Sequence, residues 1–400
     1  LKLHSHLFEA TVECLQSIFS HGFYADKAIE HAFRHHRKWG KRDRHFVATT
    51  VFEMVRWWRR IWALTGKEPT GDLDSLRRAV TIYLQLQGET LPAWLPKVPE
   101  FRVLSDQLEG LRTKRAIWHS VPDWFDEVGS EAFGEAWEDI LVALNQPAQV
   151  VLRANSLRCE VKDLQALLHT AGIESNLDDS LPHGLILHER ENVFKTEAFQ
   201  RGFFEVQDGS SQMIAPLLGV DPGMRVIDAC AGAGGKTLHL AALMKNSGRI
   251  IALDISQRKL GELKLRARRA GVQNVEVREI ESHKVIKRLH SSADRMLLDV
   301  PCTGVGVLRR NPDTKWKLGP DRLQELLRIQ SQILDDYSLM VKPGGRMVYA
   351  TCSILPQENK DQVVKFLERN SEWIFIEEKI FLPHHQSFDG FYAALLERKS

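Results

Sequence analysis

The chain has 400 residues, of which 43% are hydrophobic and 26% charged, with a formal net charge of +2. That is enough apolar material for two or three cores and too little charge for wholesale disorder. No apolar run approaches the roughly 20 residues that span a bilayer and no secretory signal pattern opens the chain, so a cytoplasmic protein is expected.

Residues 1–118 read as helices. Apolar residues recur at helical spacing in Leu7, Val12, Leu15, Ile18 and Phe19, and again in Phe46, Val47, Val51, Met54 and Val55. Gly66, Pro69, Thr70 and Gly71 break the pattern before a further helical block, Leu73 to Leu86. Two basic stretches carry tryptophan: R-H-H-R-K-W-G-K-R-D-R from Arg34 to Arg44, and R-W-W-R-R from Arg56 to Arg60. Such a composition suits phosphate contact and base stacking. It equally suits solvated helix faces whose tryptophans point into a core. Composition alone leaves the two readings even.

Residues 119–205 read as a small α/β domain. Ser120 is placed to cap a helix in which Pro122 takes an early position. Gln149 to Ala154 is a strand candidate, Lys162 to Ala171 a helix, and Leu185 to His188 and Phe203 to Gln207 further short strands.

From residue 206 to 400 the pattern is strand, glycine loop, helix, repeated. Strands are expected at Arg225–Asp228, Arg249–Asp254, Val275–Ile280, Arg295–Asp299 and Arg346–Ala350. Short apolar strands alternating with helices imply a parallel, doubly wound, Rossmann-like α/β sheet.

The segment Val226-Ile-Asp-Ala-Cys-Ala-Gly-Ala-Gly-Gly-Lys-Thr-Leu runs from strand through a glycine turn into a helix. Gly232, Gly234 and Gly235 permit tight turning and close approach of a ligand. A phosphate-binding P-loop would need glycine where Cys230 stands. A dinucleotide fold would need another glycine spacing. An S-adenosylmethionine site also explains Asp254, which ends the next strand where a carboxylate can accept from both ribose hydroxyls. Asp254 could instead cap the following helix, and the two roles are compatible.

Cys14, Cys159, Cys230, Cys302 and Cys352 are odd in number and far apart, with no C-x-x-C pair. This argues against a disulfide framework and a structural zinc site, and no metal is expected. Cys302 and Cys352 each follow a strand candidate. Ligands of doubly wound sheets bind beyond the carboxyl ends of the strands, and adjacent strands lie about 4.8 Å apart. If these strands are neighbours, both thiols face the crevice of the methyl donor. A lone buried thiol is usually a small hydrophobe; two at equivalent strand ends, one beside Asp299, point to chemistry. Carbon 5 of cytosine is a poor nucleophile until a thiolate adds to carbon 6, which suits covalent catalysis. Lys236 offers the nearby positive charge that a thiolate needs. Asp299 can hydrogen-bond the cytosine ring nitrogen.

These residues resemble the RNA 5-methylcytosine methyltransferase family called RsmB/NOL1/NSUN, also known as Sun or Fmu. D-A-C-A-G-A-G-G-K-T is similar to its methyl-donor loop, and L-L-D-V-P-C-T-G and Y-A-T-C-S to its two cysteine motifs. R-R-N-P-D-T-K-W (Arg309 to Trp316) and F-D-G-F-Y-A-A-L-L-E-R (Phe388 to Arg398) resemble later family segments. L-R-A-N-S-L (Leu152 to Leu157) and F-F-E-V-Q-D-G-S-S-Q (Phe203 to Gln212) resemble the small domain before the catalytic core, of ferredoxin or RRM type. K-R-D-R-H-F-V (Lys41 to Val47) resembles the NusB-like helical domain of members acting on ribosomal RNA.

The resemblance implies that Cys352 is the nucleophile and that Cys302 helps release the product. It implies S-adenosylmethionine among Cys230, Ala231, Gly232, Ala233, Gly234, Gly235, Lys236, Asp254, Glu281 and Asp299, with Asp299 also holding the cytosine. Two departures stand out: Gly232-Ala233 replace the family's Ala-Pro, implying a looser loop, and Glu281 replaces an aspartate near the adenine. The expectation is a monomeric methyltransferase acting on ribosomal RNA, most readily 16S. A transfer RNA enzyme and a catalytically silent RNA-binding assembly factor are the alternatives.

Overall fold

The computed structural model describes residues 3–400. The chain forms two compact units: residues 1–146 with 308–319, and residues 147–307 with 320–400.

The first unit is helical. Its larger helices are Ser5–Ser20, Ala25–His35, Lys41–Arg56, Trp58–Thr65, Leu73–Leu86, Phe101–Glu109, Asp123–Phe133 and Trp137–Leu144. The apolar residues picked out by helical spacing meet in one core, where Leu7, Val12, Leu15, Val47, Val51 and Met54 are fully buried. Asp72 starts the Leu73–Leu86 helix by accepting from the Ser75 amide at 2.9 Å, as an N-cap should.

Ser120 departs from expectation. It does not cap the helix after it, which starts beyond Pro122. It adopts φ +54°, and its hydroxyl accepts from the Arg59 amide at 2.9 Å. It thus satisfies an open N–H in the first turn of the Trp58–Thr65 helix.

The two basic stretches also part company. Arg34, Arg37, Lys38, Lys41 and Arg42 are exposed. Trp39 and Trp58, by contrast, belong to the core. Arg56 is buried. The Arg60 guanidinium lies 3.9 Å from the Trp57 ring centroid and 4.2 Å from that of Trp118. The tryptophans therefore serve packing, and the cations of the first stretch are the ones exposed at the surface.

Residues 308–319 complete this unit. The Trp316 indole donates to the Val55 carbonyl at 2.7 Å. The buried Lys315 ammonium donates to the Arg56 carbonyl at 2.8 Å. The Ala25 amide donates to Asp313 at 3.0 Å. The segment R-R-N-P-D-T-K-W, read with the catalytic region, packs among the helices instead.

The second unit holds two sheets. The smaller contains β1 (Val151–Ala154), β2 (Ser175–Leu177), β3 (Gly184–Leu187) and β4 (Phe204–Val206), in the order β2-β3-β1-β4. All its pairings are antiparallel. With helix Val161–Thr170 after β1 and a short helix before β4, this is the split βαβ arrangement.

The larger sheet contains β5 (Arg225–Asp228), β6 (Arg249–Asp254), β7 (Val275–Glu279), β8 (Ala293–Asp299), β9 (Val341–Thr351), β10 (Trp373–Phe381) and β11 (Phe391–Arg398). Their order is β10-β11-β9-β8-β5-β6-β7. β9, β8, β5, β6 and β7 are parallel, and β10 and β11 add an antiparallel edge. The five strands expected from the alternation are the parallel ones; the last two, which it did not foresee, form a hairpin with no crossover helix. Successive residues serve opposite faces, Val226 and Ile250 packing on one side and Ile227 and Ile251 on the other. The fold is Rossmann-like, and order reverses at β5, with β6 on one side and β8 on the other.

Candidate active site

A cavity of about 710 Å³ opens at the carboxyl ends of β5, β6 and β8, lined by their terminal carboxylates Asp228, Asp254 and Asp299. The glycine turn crosses it. Cys230, Ala231, Gly232, Ala233, Gly235 and Lys236 line the cavity. Gly234 does not; it sits at φ +86°, and a Cβ there would come within 2.5 Å of Leu263 Cγ. Only glycine meets both demands.

Asp254 holds the turn with one oxygen, accepting from the Gly232 amide at 2.8 Å, and accepts from the Ser256 amide with the other at 2.8 Å. The helix that follows, Gln257–Ala270, is capped by Ser256, whose hydroxyl accepts from the Lys259 amide, so Asp254 braces the cap residue and does not itself cap the helix. Glu281 is exposed and absent from the cavity wall, while its neighbours Ile280 and Ser282 line it. In an extended segment neighbours face opposite ways.

The Lys236 ammonium lies 2.6 Å from Asp299 Oδ2. Burial opposes its charge, but the Asp299 carboxylate outweighs burial and raises the lysine above its ordinary value. β8 and β9 are neighbours, with Asp299 opposite Ala350. The thiols that follow them, Cys302 and Cys352, lie 3.4 Å apart. The hydrogen bond with Cys352, followed by burial, pushes the Cys302 thiol well above its usual range. Burial does the same to Cys230.

Several residues of this region gave no signal in the sequence. Asp228 is buried; one oxygen accepts from Thr237 Oγ1 at 2.6 Å, and the other has no partner among the described residues. Burial pushes it up to about 7. Gln207, Ser211 and Arg266 line one part of the cavity, and His283, Asp336 and Tyr337 another. Glu358 is fully buried. It accepts from the Thr303 amide at 2.8 Å, the Thr303 hydroxyl at 2.5 Å and Gln330 Nε2 at 2.9 Å. It thereby ties the loop of Cys302 to the segment after Cys352. A glutamate following T-C-S could have suggested this, but only the fold supplies its partners.

The geometry fits S-adenosylmethionine. A carboxylate stands at the end of β6 on the wall, a glycine turn permits close approach, and a buried carboxyl oxygen on the wall lacks a partner among the described residues. Among the described residues no group of three or more histidine, cysteine or acidic side chains is placed to hold a metal ion, and no helix is long and apolar enough to cross a membrane.

Comparison with known proteins agrees. The family model for the 16S rRNA methyltransferase RsmB/F matches residues 215–397. The ferredoxin-like domain model of RsmF/B-like methyltransferases matches residues 121–194. A probable ribosomal RNA small subunit methyltransferase B of Synechocystis is 31% identical, over 96% of this chain and 97% of its own. The ribosomal RNA small subunit methyltransferase B of Proteus mirabilis is 34% identical, over 70% of this chain and 66% of its own. Among solved structures, a methyltransferase homolog protein from Pyrococcus horikoshii is similar at 27% identity and a TM-score of 0.64, over 71% of this chain and 98% of that one.

Fold and cavity together define an S-adenosylmethionine-dependent methyltransferase. The matches narrow the class: the chain belongs to the RsmB/NOL1/NSUN family of RNA methyltransferases.

Proposed function

We propose that this protein methylates carbon 5 of a cytosine in ribosomal RNA of the small subunit, with Cys352 as nucleophile. The observation that carries the reading is the pair of thiols 3.4 Å apart after β8 and β9, beside the charged Lys236–Asp299 pair on the cavity wall. The ribosomal substrate is supported by the names of the relatives.

Cys352 adds to carbon 6 of the cytosine, and the ring's electrons move towards its nitrogen, which Asp299 hydrogen-bonds through a proton shared between the two. Lys236 supplies the positive charge that favours a thiolate nearby. Bound S-adenosylmethionine supplies the methyl group as an electrophile for carbon 5. A base then takes the carbon 5 proton, the carbon 5–carbon 6 double bond re-forms, and the carbon–sulfur bond breaks with its electrons going to Cys352, which leaves as a thiolate. Cys302, which keeps its proton, serves this release. The target base must leave its stack to reach the site. The exposed cations between Arg34 and Arg42, on a helical unit of NusB-like type, bind the RNA through phosphates, so affinity falls steeply with salt. Cys230, Ala231, Gly232, Ala233, Gly234 and Gly235 shape the methyl-donor loop, and Asp254 holds the ribose.

The test is a trapping assay. Cys302→Ala is mixed with unmodified small-subunit ribosomal RNA and S-adenosylmethionine and run on a denaturing gel. A covalent protein–RNA band that disappears when Cys352→Ala is added supports both roles. Methyl transfer by the unaltered protein to transfer RNA alone would replace the substrate. Absence of transfer to any RNA would leave a silent binding factor.

A further inference from the structure

The glycine turn is held on two sides. Its amides are satisfied from within the large sheet: Ala231 donates to the Leu253 carbonyl at 2.9 Å and Gly232 to Asp254 at 2.8 Å. Its carbonyls are met by arginines. Arg266 Nη1 donates to the Ala233 carbonyl at 2.8 Å, and Arg153 Nη1 to the Gly235 carbonyl at 2.9 Å.

Both guanidinium groups are themselves anchored by the small sheet. Arg266 donates through Nε and Nη2 to Glu205 Oε2 at 3.2 and 2.9 Å. Arg153, on β1, stands opposite Glu205 of β4 and also donates to Gln207 Oε1. Arg153, Glu205 and Gln207 are all buried. Charge-assisted bonds withdrawn from water are strong and poorly screened.

We propose that Arg153 and Arg266 are positioning residues for the cofactor loop, and that the small sheet sets cofactor affinity through them. A turn rich in glycine loses much conformational entropy when it is ordered. Here that ordering is met during folding, so a ligand meets a formed loop. The looser turn expected from Gly232-Ala233 is offset by these two bonds. The inference rests on the cofactor site and is independent of which base is methylated.

Arg269 supplies the control. It pairs with the same Glu205 but donates to no loop carbonyl among the bonds to Ala233 and Gly235. S-Adenosylhomocysteine affinity is measured by calorimetry for Arg266→Ala, Arg266→Lys and Arg269→Ala. Amide hydrogen exchange across residues 231–235 and the unfolding midpoint without ligand are recorded alongside. Arg266→Ala is expected to bind about tenfold or more weakly and to exchange faster in the turn, with its midpoint close to that of Arg269→Ala. Arg266→Lys recovers part of the affinity, since an ammonium can serve one carbonyl. Arg269→Ala keeps affinity within about threefold. Arg153→Ala leaves a buried glutamine oxygen short of a donor and is interpreted only if it folds; Arg266, a quarter exposed, carries the test. Because Arg266 also lines the cavity, the exchange decides: unchanged exchange in the turn of a folded Arg266→Ala, whatever its affinity, or equal weakening in Arg266→Ala and Arg269→Ala, overturns the proposal.

Discussion

Asp228 holds a buried carboxyl with one oxygen bonded to Thr237 and the other without a partner among the described residues. Burial, aided by the charges of Asp299 and Asp254, lifts its titration from 3.8 to about 7. The folded protein therefore keeps a proton between those values that the unfolded chain has released. Stability contributed by this group falls as pH rises through the window and is constant above it. Asp228→Asn should flatten that part of the stability–pH curve, read by denaturant unfolding from pH 5 to 8. The cofactor is a cation, so its binding should favour the carboxylate and release a proton near pH 7. Calorimetry in two buffers of different protonation enthalpy measures this; identical heats in both would sink the idea. At Gly234, alanine would require the left-handed region and meet Leu263. Gly234→Ala is expected to abolish measurable S-adenosylhomocysteine binding while the helical unit keeps its circular dichroism.

At the scale of elements, the two cysteine-bearing loops are registered by one buried acid. Glu358 has three donors from the Cys302 loop and the Pro320–Ser338 helix, and its own carbonyl accepts from Tyr349 at 2.6 Å. Glu358→Gln presents an amide NH2 towards Gln330 or Thr303, leaving at least one buried donor unmet at a cost of about 1–3 kcal/mol. Cofactor binding should survive, since Glu358 does not line the cavity, whereas covalent trapping of RNA should fall at least tenfold. Normal trapping at normal cofactor affinity would remove Glu358 from the site. Much of this region was legible in the sequence because its signals are local: glycines in a turn, an acid ending a strand, a thiol two or three residues past the next strand ends. Glu358, Arg153 and Arg266 were not legible, because a charged residue gives no local sign of the distant carbonyl or hydroxyl it will serve. Glu281 is exposed and off the cavity wall, one residue from Ile280 and Ser282, which line it. The edge hairpin escaped because β11 is buried along most of its length while β10 is mostly exposed, so neither alternates cleanly.

At the scale of the whole molecule, the helical unit is assembled from two stretches far apart in the chain. The second stretch leaves the catalytic unit five residues after Cys302 and returns at Pro320. A fragment of residues 147–400 would carry Leu308, Lys315 and Trp316 without the helices that bury them. We expect it to aggregate on size-exclusion chromatography and to be recovered when residues 1–146 are co-expressed. A monodisperse fragment alone would show that this segment is dispensable for the catalytic unit.

The same discontinuity fixes an order of events at the ribosome. Domains ordinarily fold from the N-terminus as they emerge. Here the helices come out first but wait for Trp316 and Lys315, which arrive roughly ten seconds or more later at typical elongation rates. By then the glycine turn, β5 to β8 and Cys302 have all been made. The last pieces of the helical core are thus delivered by a chain already committed to building the catalytic pocket, and neither half of the enzyme can be finished much ahead of the other.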